Sequence, residues 1–163
     1  MYKFDRRQMF TLSQGMYQVQ EGIFIKQRSV IDETLQPNGN YNNIAVFSDG
    51  DYYNSNKDNQ DYIRLFCLEP CIIARVKEVS SSQLVQQYNE IEELNYIQTF
   101  PEGCTRQKVY LFLQWAEKKN IMHLLTQSLI AGFCGVTHPT IQRHLTEMRK
   151  LGLIDFNNKA IIN

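Results

Sequence analysis

The stretch that decides the fold is LTQSLIAGFCGVTHPTIQRHLTEMRKLGL, residues 125–153. Its hydrophobic spacing predicts two short helices joined by a tight turn. Thr126 is placed to cap the first helix, and Gly135 follows its end, where a left-handed residue closes a helix at low cost. Thr137 is placed to cap the second helix, and Pro139 lies in its first turn, where a missing N–H costs little. The stretch therefore predicts a helix-turn-helix.

The second of these helices has an apolar side and a polar, cationic side. Its apolar residues are spaced by four and three, which predicts that they are buried: Ile141, Leu145 and Met148. The opposite side carries His138, Gln142, Arg143 and Thr146. Such a helix fits the DNA major groove, which is about 12 Å wide. We therefore expect DNA binding. The alternatives are a helical hairpin packed on a core and a winged helix that serves as a protein-interaction module.

The residues after the helix pair predict a β-hairpin. Gly152 is placed to end the second helix, and two short β-like runs follow at 153–156 and 159–162. Between them, Asn157 and Asn158 tolerate the positive φ of a two-residue turn. A helix-turn-helix followed by a hairpin is a winged helix.

The charge distribution supports a nucleic-acid-binding module. Residues 1–103 hold 9 Lys/Arg against 14 Asp/Glu, a net charge of −5. Residues 104–163 hold 8 Lys/Arg against 3 Asp/Glu, a net charge of +5. The three histidines also lie in the second part. This asymmetry is typical of an acidic body joined to a basic module, although ordinary scatter of charge remains the alternative.

Composition and missing motifs exclude several classes of protein. The chain is 43% hydrophobic and 21% charged, as in soluble globular proteins, and it has no run of 18 apolar residues. No apolar segment of a secretory signal follows its first basic residues, so we expect a cytoplasmic protein. A phosphate-binding Gly-rich loop, a G-x-S-x-G motif and His/carboxylate metal spacing are all missing from the sequence. We therefore expect that the protein is not an enzyme and that it binds no cofactor and no metal.

The four cysteines are Cys67, Cys71, Cys104 and Cys134. They form no C-x-x-C pair and no Cys/His ligand pattern. Cys67 and Cys71 are close together in an apparent β region. Reduced, mostly buried thiols are the expected state, and a redox or metal role for this pair is the alternative.

The first half of the chain predicts a small β structure. Short β-like runs occur at 16–19, 22–27, 30–35, 43–47, 62–68 and 71–76. A turn-rich cluster lies at 36–40, and the polar segment 53–61 predicts a loop. Short strands separated by turns at this spacing indicate a small barrel or sandwich.

Two more helices are predicted between the β body and the helix-turn-helix. Ser80, Ser81 and Ser82 offer N-caps for a helix that runs to residue 98. Its apolar stripe contains Leu84, Tyr88, Ile91 and Leu94. This stripe is either a dimer interface or a surface that packs on the chain's own β body. The next helix is predicted at 105–119, and it buries Val109, Phe112, Leu113 and Ala116.

This order of elements resembles the family of bacterial regulators typified by the catabolite activator protein, the CRP/FNR family. The DNA-binding module carries the resemblance through Thr126, Gly135, Thr137 and Arg143, and the β segments match more loosely. The resemblance implies an α+β fold with a small antiparallel, jelly-roll-like β-roll at 1–80. A linking or dimerisation helix at 81–100 and a winged helix-turn-helix at 101–163 would follow. Cyanobacterial and plastid members are the branch that we expect to be nearest.

The β body departs from the family pattern for cyclic-nucleotide binding. Members that bind these ligands carry Gly-Glu followed by Arg-Ser or Arg-Thr, because an arginine pairs with the cyclic phosphate. The matching position falls near Asp61 and Tyr62, where there is no Arg-Ser or Arg-Thr pair and where Asp61 would repel a phosphate. The cysteines that hold an iron–sulfur cluster in oxygen-sensing relatives are also missing. We therefore expect a degenerate domain that binds no cyclic nucleotide.

The expected DNA contacts follow from the chemistry of each side chain. Arg143 is suited to guanine, Gln142 to adenine, and His138 to a base or a phosphate. Hydroxyls near helix N-termini suit phosphate oxygens, with capping alone as the alternative. The full predicted set is Thr126, Ser128, Thr137, His138, Pro139, Thr140, Gln142, Arg143, Asn158 and Lys159.

Two functions are open at this point. In the first, the chain is a transcriptional regulator that binds a pseudo-palindromic operator in double-stranded DNA as a homodimer. In the second, its shortened β-roll binds another regulator, RNA polymerase or a signalling protein, and the winged helix is auxiliary. The variant Arg143→Ala distinguishes them. It should abolish operator binding without unfolding the protein if the first function is correct, and it should have no effect on the cellular role if the second is correct.

Overall fold

The computed structural model describes residues 1–158, except the side chain of Glu102. The chain divides into two compact units, residues 1–93 and 94–163. Within the described residues, no helix is both long enough and apolar enough to cross a membrane.

The first unit is an antiparallel β-roll of eight strands. They are β1 (Tyr2–Phe4), β2 (Met9–Phe10), β3 (Met16–Glu21), β4 (Phe24–Ile31), β5 (Pro37–Phe47), β6 (Tyr52–Asn54), β7 (Ile63–Cys67) and β8 (Cys71–Arg75). One sheet has the order β1-β8-β3-β6 and the other has the order β2-β7-β4-β5. Since β7 and β8 follow each other in sequence but belong to different sheets, the chain turns a corner between them. The predicted β-roll is confirmed.

Aromatic side chains fill the space inside the roll. The rings of Phe24 and Phe47 stack with centroids 5.0 Å apart, and Tyr53 meets both rings edge-on. Leu65 and Ile73 are also completely or almost completely buried in this core. The core therefore depends on residues from both sheets.

The hairpin between β4 and β5 differs from the prediction. The strand predicted at 30–35 ends at Ile31, and the turn predicted at 36–40 lies largely within β5. The Asp32 carboxylate accepts hydrogen bonds from the N–H groups of Thr34 (2.8 Å) and Gln36 (3.1 Å), and Leu35 adopts a φ of +61°. These bonds place the reversal four residues earlier than the Pro-Asn-Gly signal suggests.

Three short strands were not predicted. β1 and β2 have two or three residues each, and they pair with β8 and β7, which are distant in sequence. β6 occupies the start of the segment predicted as a loop, and it pairs with β3. Such short strands have too few residues for an alternating pattern, so long-range pairing determines them.

The helices follow the prediction closely. They are α1 (Ser81–Gln98), α2 (Thr105–Lys118), α3 (Gln127–Cys134) and α4 (His138–Lys150). The buried Gln87 amide fixes the first half of α1 to the β-roll, because it accepts from the N–H of Tyr52 at 2.8 Å and donates to the Tyr52 carbonyl at 2.6 Å.

Candidate nucleic-acid interface

Helix α3 has the predicted caps at both ends. Oγ1 of Thr126 accepts a hydrogen bond from the N–H of Leu129 at 3.2 Å, which satisfies one of the free donors of the first turn. Gly135 adopts a φ of +67° and ends the helix. Near this end, the Gln98 amide donates to the carbonyl of Phe133 at 3.0 Å. The predicted turn between α3 and α4 is therefore confirmed.

The apolar side of α4 is buried as predicted. Ile141, Leu145 and Met148 are each 0% exposed. The same core contains Phe112 from α2, whose ring stacks on Phe133 of α3 with centroids 4.8 Å apart. The opposite face of α4 is thereby held towards solvent in one orientation.

The start of α4 carries two hydroxyls in contact. Thr137 is the N-cap residue by position, but its side chain makes no capping hydrogen bond. Instead, its Oγ1 lies 2.9 Å from Oγ1 of Thr140. Because two hydroxyls share one hydrogen bond, one of their two protons remains for an acceptor outside the pair. His138 and Pro139 are exposed beside them.

The exposed face of α4 presents Gln142, Arg143 and Thr146. The hydroxyl of Thr146 donates to the backbone carbonyl of Gln142 at 2.8 Å and is therefore turned back onto the helix. Among the described residues, the guanidinium of Arg143 has no hydrogen-bond or ion-pair partner. Its five N–H donors remain available to a ligand.

The structure also shows an ion-pair cluster that the sequence did not reveal. Nη2 of Arg106, in the first turn of α2, lies 2.7 Å from Oε2 of Glu147 on α4. Nδ1 of His144 lies 3.7 Å from the same oxygen and has no hydrogen-bond partner among the described residues. Burial, together with the charge of Arg143, lowers the pKa of His144. His144 therefore has two cations, Arg106 and Arg143, and one carboxylate, Glu147, as charged neighbours.

A cleft of about 680 Å³ borders the same cluster. Its walls include Thr105, Arg106 and Tyr110 from α2, together with Arg143 and His144 from α4. The cleft places a second cationic side chain, Arg106, near the exposed face of α4. No signal in the sequence pairs these positions, because they are far apart along the chain.

The region predicted as a wing is described only in part. Residues 153–156 form no strand in the described chain, and only Ile154 makes an isolated β-bridge. Asn158 adopts the expected positive φ, +62°, and its side-chain oxygen accepts a hydrogen bond from Arg149. The run at 159–162 and the predicted contact Lys159 lie outside the described residues.

The apolar stripe of α1 divides into an exposed part and a buried part. Leu84 and Tyr88 are 37% and 61% exposed, and they line a groove of about 420 Å³ together with Val85 and Ile91. Leu94 is only 1% exposed because it packs within its own chain. The assignment of Leu94 to a dimer interface is therefore corrected. The expectation that the whole stripe packs on the β body is also wrong for Leu84 and Tyr88.

An ion pair of the β-roll involves Asp58, which is close in sequence to the predicted phosphate position near Asp61. Nζ of Lys26 donates to Oδ1 of Asp58 at 2.5 Å, and the hydroxyl of Tyr53 donates to the other oxygen of this carboxylate. The Asp58 side chain is 6% exposed. Burial and the Asp58 carboxylate raise the pKa of Tyr53, so its hydroxyl stays protonated. Lys26 is thus neutralised by the chain itself.

Comparison with known proteins places this geometry in a family context. The model of the Crp-like helix-turn-helix domain matches residues 107–163. No curated protein sequence matches the chain. Solved structures match along almost its full length, each at 14% sequence identity or less.

One of these is a CRP-family transcriptional regulator from Thermus thermophilus, with 13% identity and a TM-score of 0.69 over 95% of this chain and 87% of that one. Another is a cyclic-nucleotide-binding-domain protein from Listeria monocytogenes, with 10% identity and a TM-score of 0.70 over 98% and 86% of the two chains. A third is CooA from Carboxydothermus hydrogenoformans, solved as a mutant, with 14% identity and a TM-score of 0.68 over 97% and 80%.

These three proteins come from other bacteria, so they do not support the expected cyanobacterial or plastid branch. They agree with the architecture described above, an antiparallel β-roll, a long helix and a helix-turn-helix. Residues 107–163 thus match the Crp-like helix-turn-helix domain, and the fold of nearly the whole chain is similar to that of solved CRP/FNR-family regulators.

Proposed function

We propose that this protein is a sequence-specific DNA-binding transcriptional regulator that acts in the cytoplasm as a homodimer on a pseudo-palindromic operator. In this proposal the β-roll (1–80), the linking helix (81–100) and the DNA-binding domain (101–163) are the functional parts. The observation that carries it is the unpartnered Arg143 guanidinium on the exposed face of α4, whose other face is completely buried.

The contact chemistry follows from this geometry. Arg143 donates two hydrogen bonds to a guanine edge, and Gln142 pairs with an adenine. The spare hydroxyl proton of the Thr137–Thr140 pair, together with Thr126 and Ser128, suits phosphate oxygens. The net charge of +5 over residues 104–163 adds sequence-independent attraction, which salt weakens.

The experiment is selection from a randomised duplex pool across a salt series, with wild type, Arg143→Ala and Arg143→Lys in parallel. We expect a two-fold motif with half-sites about 34 Å apart in wild type. The Lys variant keeps the charge but loses the bidentate geometry, so it should bind DNA without enriching the motif. A motif that survives in both variants would contradict the role of Arg143. Weak, salt-sensitive binding with no motif would favour a protein partner of the β-roll instead.

The proposed dimer interface is the groove formed by Leu84, Val85, Tyr88 and Ile91. Exposed apolar side chains of this size on one helix face are typical of an interface. Tyr88→Asp should lower the sedimentation coefficient from that of a dimer to that of a monomer. Gln86→Asp should not, because Gln86 is exposed but does not line the groove. A wild-type monomer at operator-binding concentrations would contradict the homodimer.

Independence from cyclic nucleotides is supported by the Lys26–Asp58 pair and by the lack of arginine in residues 48–61. Because the Asp58 carboxylate already holds the Lys26 ammonium group, this cation is not free to pair with a cyclic phosphate. A ligand at one hundred times its Kd would stabilise the fold by about 2.7 kcal/mol. We expect no change in the melting temperature with millimolar 3′,5′-cyclic AMP or GMP, and a concentration-dependent rise would contradict the proposal.

A further inference from the structure

The cleft between α2 and α4 has the size of a ligand site. Its volume is about 680 Å³, and small-molecule pockets in proteins commonly hold about 300–1,000 Å³. All of its described walls come from residues 103–153, so the cleft lies within one of the two compact units. A space of this size exceeds the volume of an inorganic anion, so it can hold a small organic molecule.

Two arginines from different helices line the cleft. Arg106 of α2 is about half-exposed, and the Glu147 carboxylate holds one nitrogen of its guanidinium at 2.7 Å. Because a guanidinium has five N–H donors, Arg106 can keep this bond and still donate to a ligand. Arg143 of α4 is exposed and has no hydrogen-bond or ion-pair partner among the described residues. The cleft therefore offers one arginine that is held in place and one that is available to a ligand.

The charges and the hydrogen-bonding groups of the cleft favour an anion. The two guanidinium groups outnumber the single carboxylate of Glu147 in this cluster. In addition, Nδ1 of His144 is buried and has no hydrogen-bond partner within the described part of the chain. A buried ring nitrogen without a partner is costly, so a ligand that reaches it gains a hydrogen bond. Phosphate suits this cluster, because its three terminal oxygens can accept hydrogen bonds from both arginines at once.

Other walls of the cleft are aromatic or apolar. They include Tyr110, which is half-buried, and Leu153, which is 38% exposed. An inorganic phosphate would leave both side chains in contact with water. An aromatic ring joined to the phosphate would cover them, and aromatic rings also attract one another when they stack. The walls therefore favour a ligand that carries both a phosphate and a ring.

We propose that this cleft binds a small aromatic phosphate monoester, and that the bound ester competes with DNA for Arg143. The phosphate pairs with Arg106 and Arg143, and the ring lies against Tyr110 and Leu153. The competition rests on the proposed function, in which the same guanidinium reads a guanine. One guanidinium cannot donate bidentately to a phosphate and to a base edge at the same time. The protein therefore releases its operator when such an ester accumulates.

Binding is tested on the full chain without DNA. Phenyl phosphate is titrated into isotope-labelled protein at constant ionic strength, and the amide NMR signals are followed. We expect saturable shifts for the residues that line the cleft. Inorganic phosphate lacks the ring, and benzyl alcohol lacks the anion, so each should bind at least about tenfold more weakly than phenyl phosphate. The absence of a saturable shift at millimolar phenyl phosphate, or an equal affinity for inorganic phosphate, would overturn the proposal.

The variants Arg106→Gln and Glu147→Gln separate ligand binding from the ion pair. Both break the ion pair, but only Arg106→Gln removes a donor to the phosphate. Arg106→Gln should therefore weaken the binding of phenyl phosphate at least about tenfold. Glu147→Gln removes a negative charge, so it should bind the ester at least as tightly as wild type. Equal losses in both variants would overturn the assigned contact. Lys150→Ala, which removes an exposed cation that does not line the cleft, should bind like wild type.

Competition with DNA is measured separately, so that the two claims can fail independently. The affinity for the selected operator is determined with and without phenyl phosphate, and chloride is used to match the ionic strength. At ten times its own Kd, a competing ester should weaken the apparent affinity for DNA about elevenfold. An affinity that the bound ester leaves unchanged would overturn the competition. If no operator is found, the proposed function fails, whereas the NMR titration still decides whether the cleft binds the ester.

Discussion

Nη2 of Arg106 lies 2.7 Å from Oε2 of Glu147, and this ion pair joins the first turn of α2 to helix α4. The two side chains are 48% and 38% exposed. Solvent therefore screens the pair, and its contribution to stability should be small. We expect a double-mutant cycle of Arg106→Ala and Glu147→Ala to give a coupling of about 0.2–1 kcal/mol in urea unfolding. A coupling energy above this range would show that solvent does not screen the pair.

The pH dependence of folding should report on His144. Its pKa is lowered in the folded state, so the unfolded chain binds the proton more readily. The fold should therefore lose stability as pH falls below the ordinary histidine pKa of about 6.5, until the lowered pKa is passed. Urea midpoints measured from pH 7.5 to 5.5 should fall less steeply in His144→Gln than in wild type.

The control for this experiment is Gln142→Ala, which replaces an exposed side chain of the same helix that does not titrate. It should keep the wild-type slope. Equal slopes in wild type and His144→Gln would show that other groups cause the acid sensitivity.

Gly22 should be the least replaceable glycine of the roll. It adopts a φ of +93°, and an added Cβ would lie 2.1 Å from the carbonyl oxygen of Pro70, which is backbone and cannot move aside cheaply. We expect Gly22→Ala to lower the free energy of unfolding by more than about 2 kcal/mol, since strain and overlap add.

Gly39 provides a matched control, because its φ is +86° and no atom lies within 4 Å of an added Cβ. Gly39→Ala should lower the free energy of unfolding by only about 1 kcal/mol, because alanine is less stable than glycine in the left-handed conformation. If the two variants have similar urea midpoints, the close approach of Pro70 is not important.

The amide of Gln87 should be essential for attaching α1 to the roll. Replacing it with alanine leaves the buried N–H and carbonyl of Tyr52 without partners, at a cost of about 1–3 kcal/mol. Gln86→Ala removes an exposed side chain of the same type from the next position and should be nearly neutral. Chemical denaturation gives the free energy of unfolding of both variants. Equal values would contradict the stabilising role of the hydrogen bonds between Gln87 and Tyr52.

The helical half of the fold could be predicted because its signals are local. The caps Thr126 and Gly135 and the spacing of Ile141, Leu145 and Met148 are each determined by residues a few positions apart. The exposed face of α4 follows directly from the buried one, so the position of Arg143 was predicted with it.

The β half and the contacts between elements could be predicted only in part. The Asp32 carboxylate, rather than the Pro-Asn-Gly sequence, sets the β4–β5 reversal. Tertiary packing decides that Leu94 is buried while Tyr88, on the same stripe, is exposed.

Arg143 is proposed to read the DNA sequence from the exposed face of α4. The most direct measurement is the ratio of affinities for the selected operator and a scrambled duplex at one physiological salt concentration, with wild type, Arg143→Ala and Lys150→Ala. We predict a ratio of about 10³ or more for wild type and for Lys150→Ala. In Arg143→Ala the difference in binding free energy between the two duplexes should become smaller by about 1–3 kcal/mol for each half-site. An unchanged ratio in Arg143→Ala would contradict the claim.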